Sequence, residues 1–176
     1  MKIGDTKPLN SPVSPVPSVV RALTFTQAES PAHIAQACEL FLEYAQSLGF
    51  SLCFQDFDKE LETLPGHYAP PGGRLLLAEY GSQLAGCVAM RRLEPGICEM
   101  KRLYLRPQFR GKGLGRALAD RVIVEARRVG YRQMRLDTVE PVMKDAVGMY
   151  RKLGFQEISP YRSNPIAGAM YMELEL

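Results

Sequence analysis

The sequence predicts an α/β fold in which a mixed sheet carries helices on both faces, and three observations predict it. Residues 99–130 run from an extended segment through the glycine loop R-G-K-G-L-G straight into an amphipathic helix. Strand patterns lie on both sides of that unit, interleaved with three further helix patterns. The 176 residues, 46% of them hydrophobic, are enough to bury one good core, so one domain is expected over residues 21–176.

The elements follow in order. Residues 1–20 stand apart: Pro8, Pro12, Pro15 and Pro17, with Ser11, Ser14 and Ser18, make a segment that cannot be helical and has little to bury. It reads as a flexible arm or an extended clasp on a neighbour. It has no continuous apolar stretch and no basic start beyond Lys2, so it is not read as a signal peptide. Residues 22–26 are a predicted strand. Ser30 caps a helix with Pro31 at its first position, and Ile34, Ala37, Cys38, Phe41, Leu42 and Ala45 line that helix up to Gly49. Residues 56–64 predict a second, short helix, and 64–73 a loop crowded with Pro and Gly. Residues 75–80 and 84–92 then form a hairpin across Gly81 and Ser82.

The central unit carries the chemistry. Leu103, Tyr104 and Leu105 are β-prone, and Pro107 stops the strand. From Leu114, apolar residues recur at Ala117, Leu118, Val122, Ala126 and Val129, the spacing of one buried helical face, and Gly130 ends the helix. Gly111, Gly113 and Gly115 leave no Cβ between a ligand and the main chain. The first-turn amides of such a helix have no internal partner, so a pyrophosphate satisfies several at once. A hydrogen bond to a charged group contributes about 1.5–3 kcal/mol, against about 0.3–1 kcal/mol for the helix dipole, so the amides dominate while Arg110, Lys112 and Arg116 steer. The bland alternative is a tight strand-to-helix connection. The nucleotide-hydrolase loop G-x-x-x-x-G-K-[ST] is absent, and G-x-G-x-x-G fails because Arg116 or Leu118 stands at the third glycine.

Downstream, 131–139 predict a strand and 142–153 a helix, which closes on Y-R-K-L-G-F at 150–155. Residues 155–159 and 169–176 predict two last strands. Gly148 inside that helix costs roughly 1 kcal/mol relative to Ala, which points to close packing on a ligand or strand.

Arg110, Gly113 and Gly115 fit [RQ]-x-x-G-x-[GA] after a strand, and together with Y-R-K-L-G-F this resembles the acetyl-coenzyme A signature of the GNAT superfamily of N-acetyltransferases. The resemblance spans residues 21–176 and is strongest over 99–155. It implies the GNAT acyl-CoA N-acyltransferase fold, a mostly antiparallel mixed sheet whose two central parallel strands splay into a V. It implies that acetyl-CoA, as co-substrate, binds there, on the backbone of Leu103, Tyr104 and Leu105 and on Arg110, Gly111, Lys112, Gly113, Leu114, Gly115 and Arg116. It further implies direct transfer to the primary amine of a small molecule, with Tyr150 as general acid to the leaving sulfur. An ordinary buried aromatic is the other reading of Tyr150. A protein lysine or N-terminal acetyltransferase and a non-catalytic acyl-CoA sensor are the competing functions. Family members often carry Asn seven residues before the tyrosine; here that position is Met143. Acceptor residues are expected within 50–68 and 161–170, which hold Phe54, Phe57, Tyr68 and Tyr161 beside Asp56, Asp58 and Glu62. Dimers are common in that superfamily, and the last strand, read as an exposed edge, offers a surface for a homodimer.

An amine with a pKa near 10.4 must be neutral to attack, which costs roughly 4–5 kcal/mol at pH 7 and requires a base or a desolvating pocket. Glu99 is the first candidate base, because alternation along Glu99, Lys101, Leu103 and Leu105 sets it beside the groove; a plain ion pair is its alternative. Glu79 and Asp137 are weaker candidates, and His67 and His33 weaker still.

Composition excludes several classes. A net charge of +3 is mild, and Arg127, Arg128, Arg132 and Arg135 read as a solvated face, so no nucleic-acid partner is expected. Cys38, Cys53, Cys87 and Cys98 show no C-x-x-C spacing, so neither a metal nor redox chemistry is expected of these reduced thiols. No apolar run is long enough to span a bilayer, and a cytoplasmic location is expected.

Overall fold

The computed structural model describes residues 22–176. The expected N-terminal arm, 1–20, lies outside the described residues. The strands are β1 (Leu23–Gln27), β2 (Arg74–Tyr80), β3 (Gln83–Glu94), β4 (Ile97–Leu105), β5 (Gln133–Val139), β6 (Gln156–Ile158) and β7 (Ala169–Glu175). The helices are α1 (Pro31–Ser47), α2 (Phe57–Glu62), α3 (Leu114–Val129) and α4 (Lys144–Leu153). Element kinds and order follow the sequence patterns. Ser30 caps α1 through its side chain, which accepts from the His33 N–H, and Gly81 and Ser82 both take positive φ, 59° and 63°, to close the β2–β3 hairpin.

The strands form one seven-stranded sheet in the order β1-β2-β3-β4-β5-β7-β6. Only β4 and β5 pair in parallel among the described strands. Alternation on β2 shows how two layers grow from one strand: Leu75 and Leu77 pack under α1 with Leu40, Phe41 and Phe57, while Leu76 and Ala78 pack under α3 with Leu118 and Val122.

Three expectations require correction. The last strand is not an edge, because β7 pairs with β5 from Gln133↔Glu175 to Val139↔Ala169 and with β6 on its other side. Among the described strands the edges of the sheet are β1 and β6, and β6 covers Tyr171 to Glu173 of β7. Close packing on a strand does not explain Gly148 either: a Cβ at that position would meet no neighbouring protein atom within 4 Å.

The regular alternation expected along β4 also fails. The register passes from Ala89↔Lys101 to Cys87↔Tyr104, so β4 spends three residues where β3 spends two. The extra residue is Arg102, at φ 55°. Opposite the bulge, a Cβ on Gly86 would fall 2.1 Å from the Tyr104 carbonyl oxygen. Cys98 and Met100 face the α3 layer, and so do Leu103 and Leu105 after the bulge, whereas Tyr104 faces the α1 layer. Glu99 therefore does not share a face with Leu103 and Leu105. Pairing between β4 and β5 covers only Ile97↔Gln133 to Glu99↔Arg135, and beyond it the two strands diverge into the expected V.

Candidate active site

A groove of about 590 Å³ opens where β4 leaves β5, between Leu103, Tyr104 and Leu105 on one side and α4 on the other, with Arg110 and Gly115 at its α3 end. Pairing on the β5 side has ended there, so backbone N–H and C=O groups of β4 lie free for a ligand. Gly113 caps α3 at φ 76° with no side-chain cap, and the first bond of the turn runs from the Ala117 N–H to the Gly113 oxygen. The N–H groups of Leu114, Gly115 and Arg116 thus project from the helix end. In front of Gly111 and Gly113 there is open space. The Leu114 side chain is buried in the core, so its contribution is the main chain.

The cations of the loop are held by their neighbours. Arg110 Nε donates to the Leu105 oxygen and its guanidinium stands 5.9 Å from the Tyr104 ring centre. Lys112 Nζ donates to the Gln108 oxygen, and Arg116 pairs with Asp120 one turn along the exposed face of α3.

At Leu103, Tyr44, Leu48 and Met143 the groove shares its wall with a small pocket of about 40 Å³. Tyr150 lines this pocket; its ring packs edge-on against Phe155 at 5.6 Å between centroids, and burial pushes its hydroxyl well above the usual tyrosine range. The hydroxyl therefore keeps its proton, as a donor must. Tyr44, also buried, is raised to about 12. Met143, where the family's asparagine is expected, sits just before α4 and its sulfur accepts from the Thr138 hydroxyl.

The pocket's polar wall comes from residues that spacing did not single out as a set. Lys101 is 6% exposed, and its Nζ donates to Gln55 Oε1 at 3.0 Å; burial pulls its pKa down to about 7. Arg102 Nη1 donates to the same oxygen at 3.0 Å, while its other nitrogens pair with Glu60, which also accepts from the Tyr68 hydroxyl. Despite that burial, these bonds hold the Glu60 carboxyl below its ordinary range. Asp137 accepts from Gln55 Nε2 and Asn164 Nδ2 and pairs with Arg162. The only available signal was a Lys-Arg pair which, with Glu99, interrupts an otherwise apolar strand, and a buried strand does not tolerate such charges without partners.

Glu99 is fully buried and committed elsewhere. Its Oε2 accepts from Arg91 at 2.8 Å, and its Oε1 from the Tyr161 hydroxyl at 2.9 Å, with Arg162 at 3.0 Å. The bulge is the reason: it puts Glu99 in the α1 layer and the groove-lining leucines in the other. The ion-pair alternative describes Glu99, and Asp137 is the carboxylate that shares the pocket with Tyr150. His67 lines a separate cavity of about 190 Å³ beside Arg91, and neither His33 nor Glu79 lines the pocket. Phe50 from the first expected acceptor segment and Asn164 from the second do line it. Among the described residues, no three His, Cys, Asp or Glu side chains are grouped to hold a metal, and no helix is long and apolar enough to cross a membrane.

Comparison with known proteins agrees with this geometry. Residues 34–155 match the profile of the Acetyltransferase (GNAT) family. An uncharacterized N-acetyltransferase of Schizosaccharomyces pombe is 44% identical over 140 residues, covering 78% of this chain and 85% of the relative. A Staphylococcus aureus GNAT-family acetyltransferase superposes with a TM-score of 0.71 at 19% identity, over 88% of this chain and 99% of that one. The Salmonella typhimurium protein yncA, solved with its cofactor acetyl-CoA, gives 0.65 at 21% identity over 88% and 94%.

Proposed function

Since the chain belongs to the GNAT family of acetyltransferases, we propose that it moves the acetyl group of acetyl-CoA directly to the primary amine of a small molecule. The observation that carries the reading is the wall shared at Leu103, where the phosphate-suited groove borders a small pocket with a buried tyrosine in its lining. The yncA complex supports acetyl-CoA as co-substrate. The residues present fit it: the α3 amides and Arg110 take the pyrophosphate, and the free β4 backbone takes the pantetheine amides.

Bound there, the coenzyme supplies an activated acetyl thioester. A backbone N–H at the splay polarises the carbonyl. Asp137 accepts a hydrogen of the amine, and Tyr150 holds a proton for the departing sulfur. The C–S bond is exchanged for a C–N bond, and the proton lost by the amine balances the one gained by the thiol. Glu99 is left with a positioning role through Arg162, which it shares with Asp137.

A small acceptor is favoured over a protein one because the space beside Tyr150 is small, about 40 Å³, and only one side chain, Gln55, bridges Lys101, Arg102 and Asp137 there. Retention of Tyr150 favours turnover over sensing. Calorimetry with acetyl-CoA, using ATP and NAD as controls, tests the reading: acetyl-CoA alone should bind, and Gly113→Asp, which places a carboxylate at the phosphate loop, should abolish binding. Preference for ATP or NAD, or undiminished binding by the variant, refutes it.

A further inference from the structure

We propose that the acceptor amine carries a carboxylate, and that Lys101 and Arg102 hold it where the side-chain oxygen of Gln55 sits in this structure. The proposal deepens the acetyltransferase reading of the same site and rests on it.

The first argument is charge. Two buried cations converge on one neutral amide oxygen, each at 3.0 Å. Lys101 has no carboxylate oxygen within 4.0 Å among the described residues, whereas the other charges of the layer are matched. Glu60 is taken by Arg102 and Tyr68, Glu99 by Arg91, Arg162 and Tyr161, and Asp137 by Arg162 and Asn164. A buried cation without a counter-ion is costly unless a ligand completes it. An oxygen between a lysine and an arginine is the place where an anion gains most, and a carboxylate accepts from both.

The second argument is polarity. Gln55 turns its oxygen to the cations and its nitrogen to Asp137, at 3.4 Å. An amino acid laid along the same line has the same sense, its carboxylate on Lys101 and Arg102 and its amine on Asp137. Tyr150 lines the same pocket, which shares Leu103 with the groove, so an amine on Asp137 sits in one pocket with the tyrosine and borders the groove where the thioester is presented.

The third argument is room. With Gln55 in place the pocket holds about 40 Å³, enough for water and too little for any amine of this class. Gln55 ends a three-residue 3-10 turn, Cys53–Gln55, that lies between Gly49 at φ 74° and Asp56 at φ 53°. Its side chain is thus the internal occupant that the acceptor replaces. Phe50 and Leu52 offer apolar contact for a short side chain, so the class is a small amino carboxylate rather than a polyamine, which the cations repel. Burial holds the Lys101 pKa near 7, and an arriving carboxylate restores its charge.

The test is thiol release by the full chain with saturating acetyl-CoA, offered the common amino acids, their primary amides and the corresponding decarboxylated amines. At least one amino acid should be acetylated, and loss of its carboxylate should lower kcat/KM by about ten- to a hundred-fold. Lys101→Met should bring that amino acid down to the level of its amide with the Kd for acetyl-CoA unchanged, which also shows that the variant is folded. Amides or decarboxylated amines that react as well as the amino acid, or a variant that keeps the preference, overturn the proposal and leave the family reading intact. So does acetyl-CoA binding without acetylation of any amino acid. Failure to bind acetyl-CoA overturns the underlying reading instead, and the proposal with it.

Discussion

Replacing Lys101 by Met should stabilise the protein at neutral pH, and by an amount that fades as the pH rises. Lys101 is 6% exposed, Gln55 is the one hydrogen-bond partner of its ammonium among the described residues, and Glu99, Arg102, Arg162 and Asp137 are the charges around it. Desolvation takes its pKa from 10.5 to about 7. At about 1.36 kcal/mol for each pH unit, this corresponds to a folding cost on the order of 5 kcal/mol at pH 7. Exchanging a buried ion for an apolar side chain commonly recovers about 1–4 kcal/mol, which is the gain expected here. The sign follows from proton counting. Below pH 7 folded and unfolded chains both carry the proton, and the cost is full; above 10.5 neither does, and it vanishes. Between those limits the unfolded chain holds the extra proton, so wild-type stability climbs relative to the variant. Urea denaturation of both proteins from about pH 6.5 to about pH 10 measures the difference, the range following from linkage. A variant less stable than wild type at pH 7, or a difference that does not change across the range, refutes the reasoning.

Other outcomes are equally direct. Tyr150→Phe should leave acetyl-CoA binding unchanged by calorimetry and lower kcat by roughly tenfold to a hundredfold, since a thiolate leaving group needs only part of the usual acid–base factor; unchanged turnover removes Tyr150 from the chemistry. Glu60→Gln strips Arg102, whose side chain is 3% exposed, of its only ion-pair partner among the described residues and should cost about 3–5 kcal/mol in urea denaturation. Gly148→Ala meets no protein atom and should raise stability by about 1 kcal/mol, read as a higher Tm.

Much of the fold was legible because its signals are local. The three- and four-residue spacing from Leu114 to Val129, the cap at Ser30, the turn at Gly81 and Ser82 and the glycine stops each act within a few residues. The glycine turn that leads into α3 was legible for the same reason. What failed depends on distant parts of the chain. Nothing near Arg102 announces a positive φ, because Gly86 and the β3 register impose it from across the sheet. Glu99 finds partners at positions 91, 161 and 162, and Lys101 finds its own at position 55, separations that no spacing rule covers. The placement of β7 between β5 and β6 is likewise set by pairing rather than by pattern.

The residue inserted at Arg102 changes the parity of β4. Before it, odd-numbered side chains look toward α1; after it, they look toward α3. The charged pocket and the leucines of the groove are thus written in opposite reading frames of a single strand, with one residue as the shift between them. Flattening the bulge with every residue kept would send Leu103 and Leu105 into the charged layer and turn the Tyr104 ring into the apolar core, whereas deleting Arg102 would leave each of them on its present face. Substitutions along this strand change one contact at a time, whereas losing the bulge at fixed length exchanges two chemistries at once.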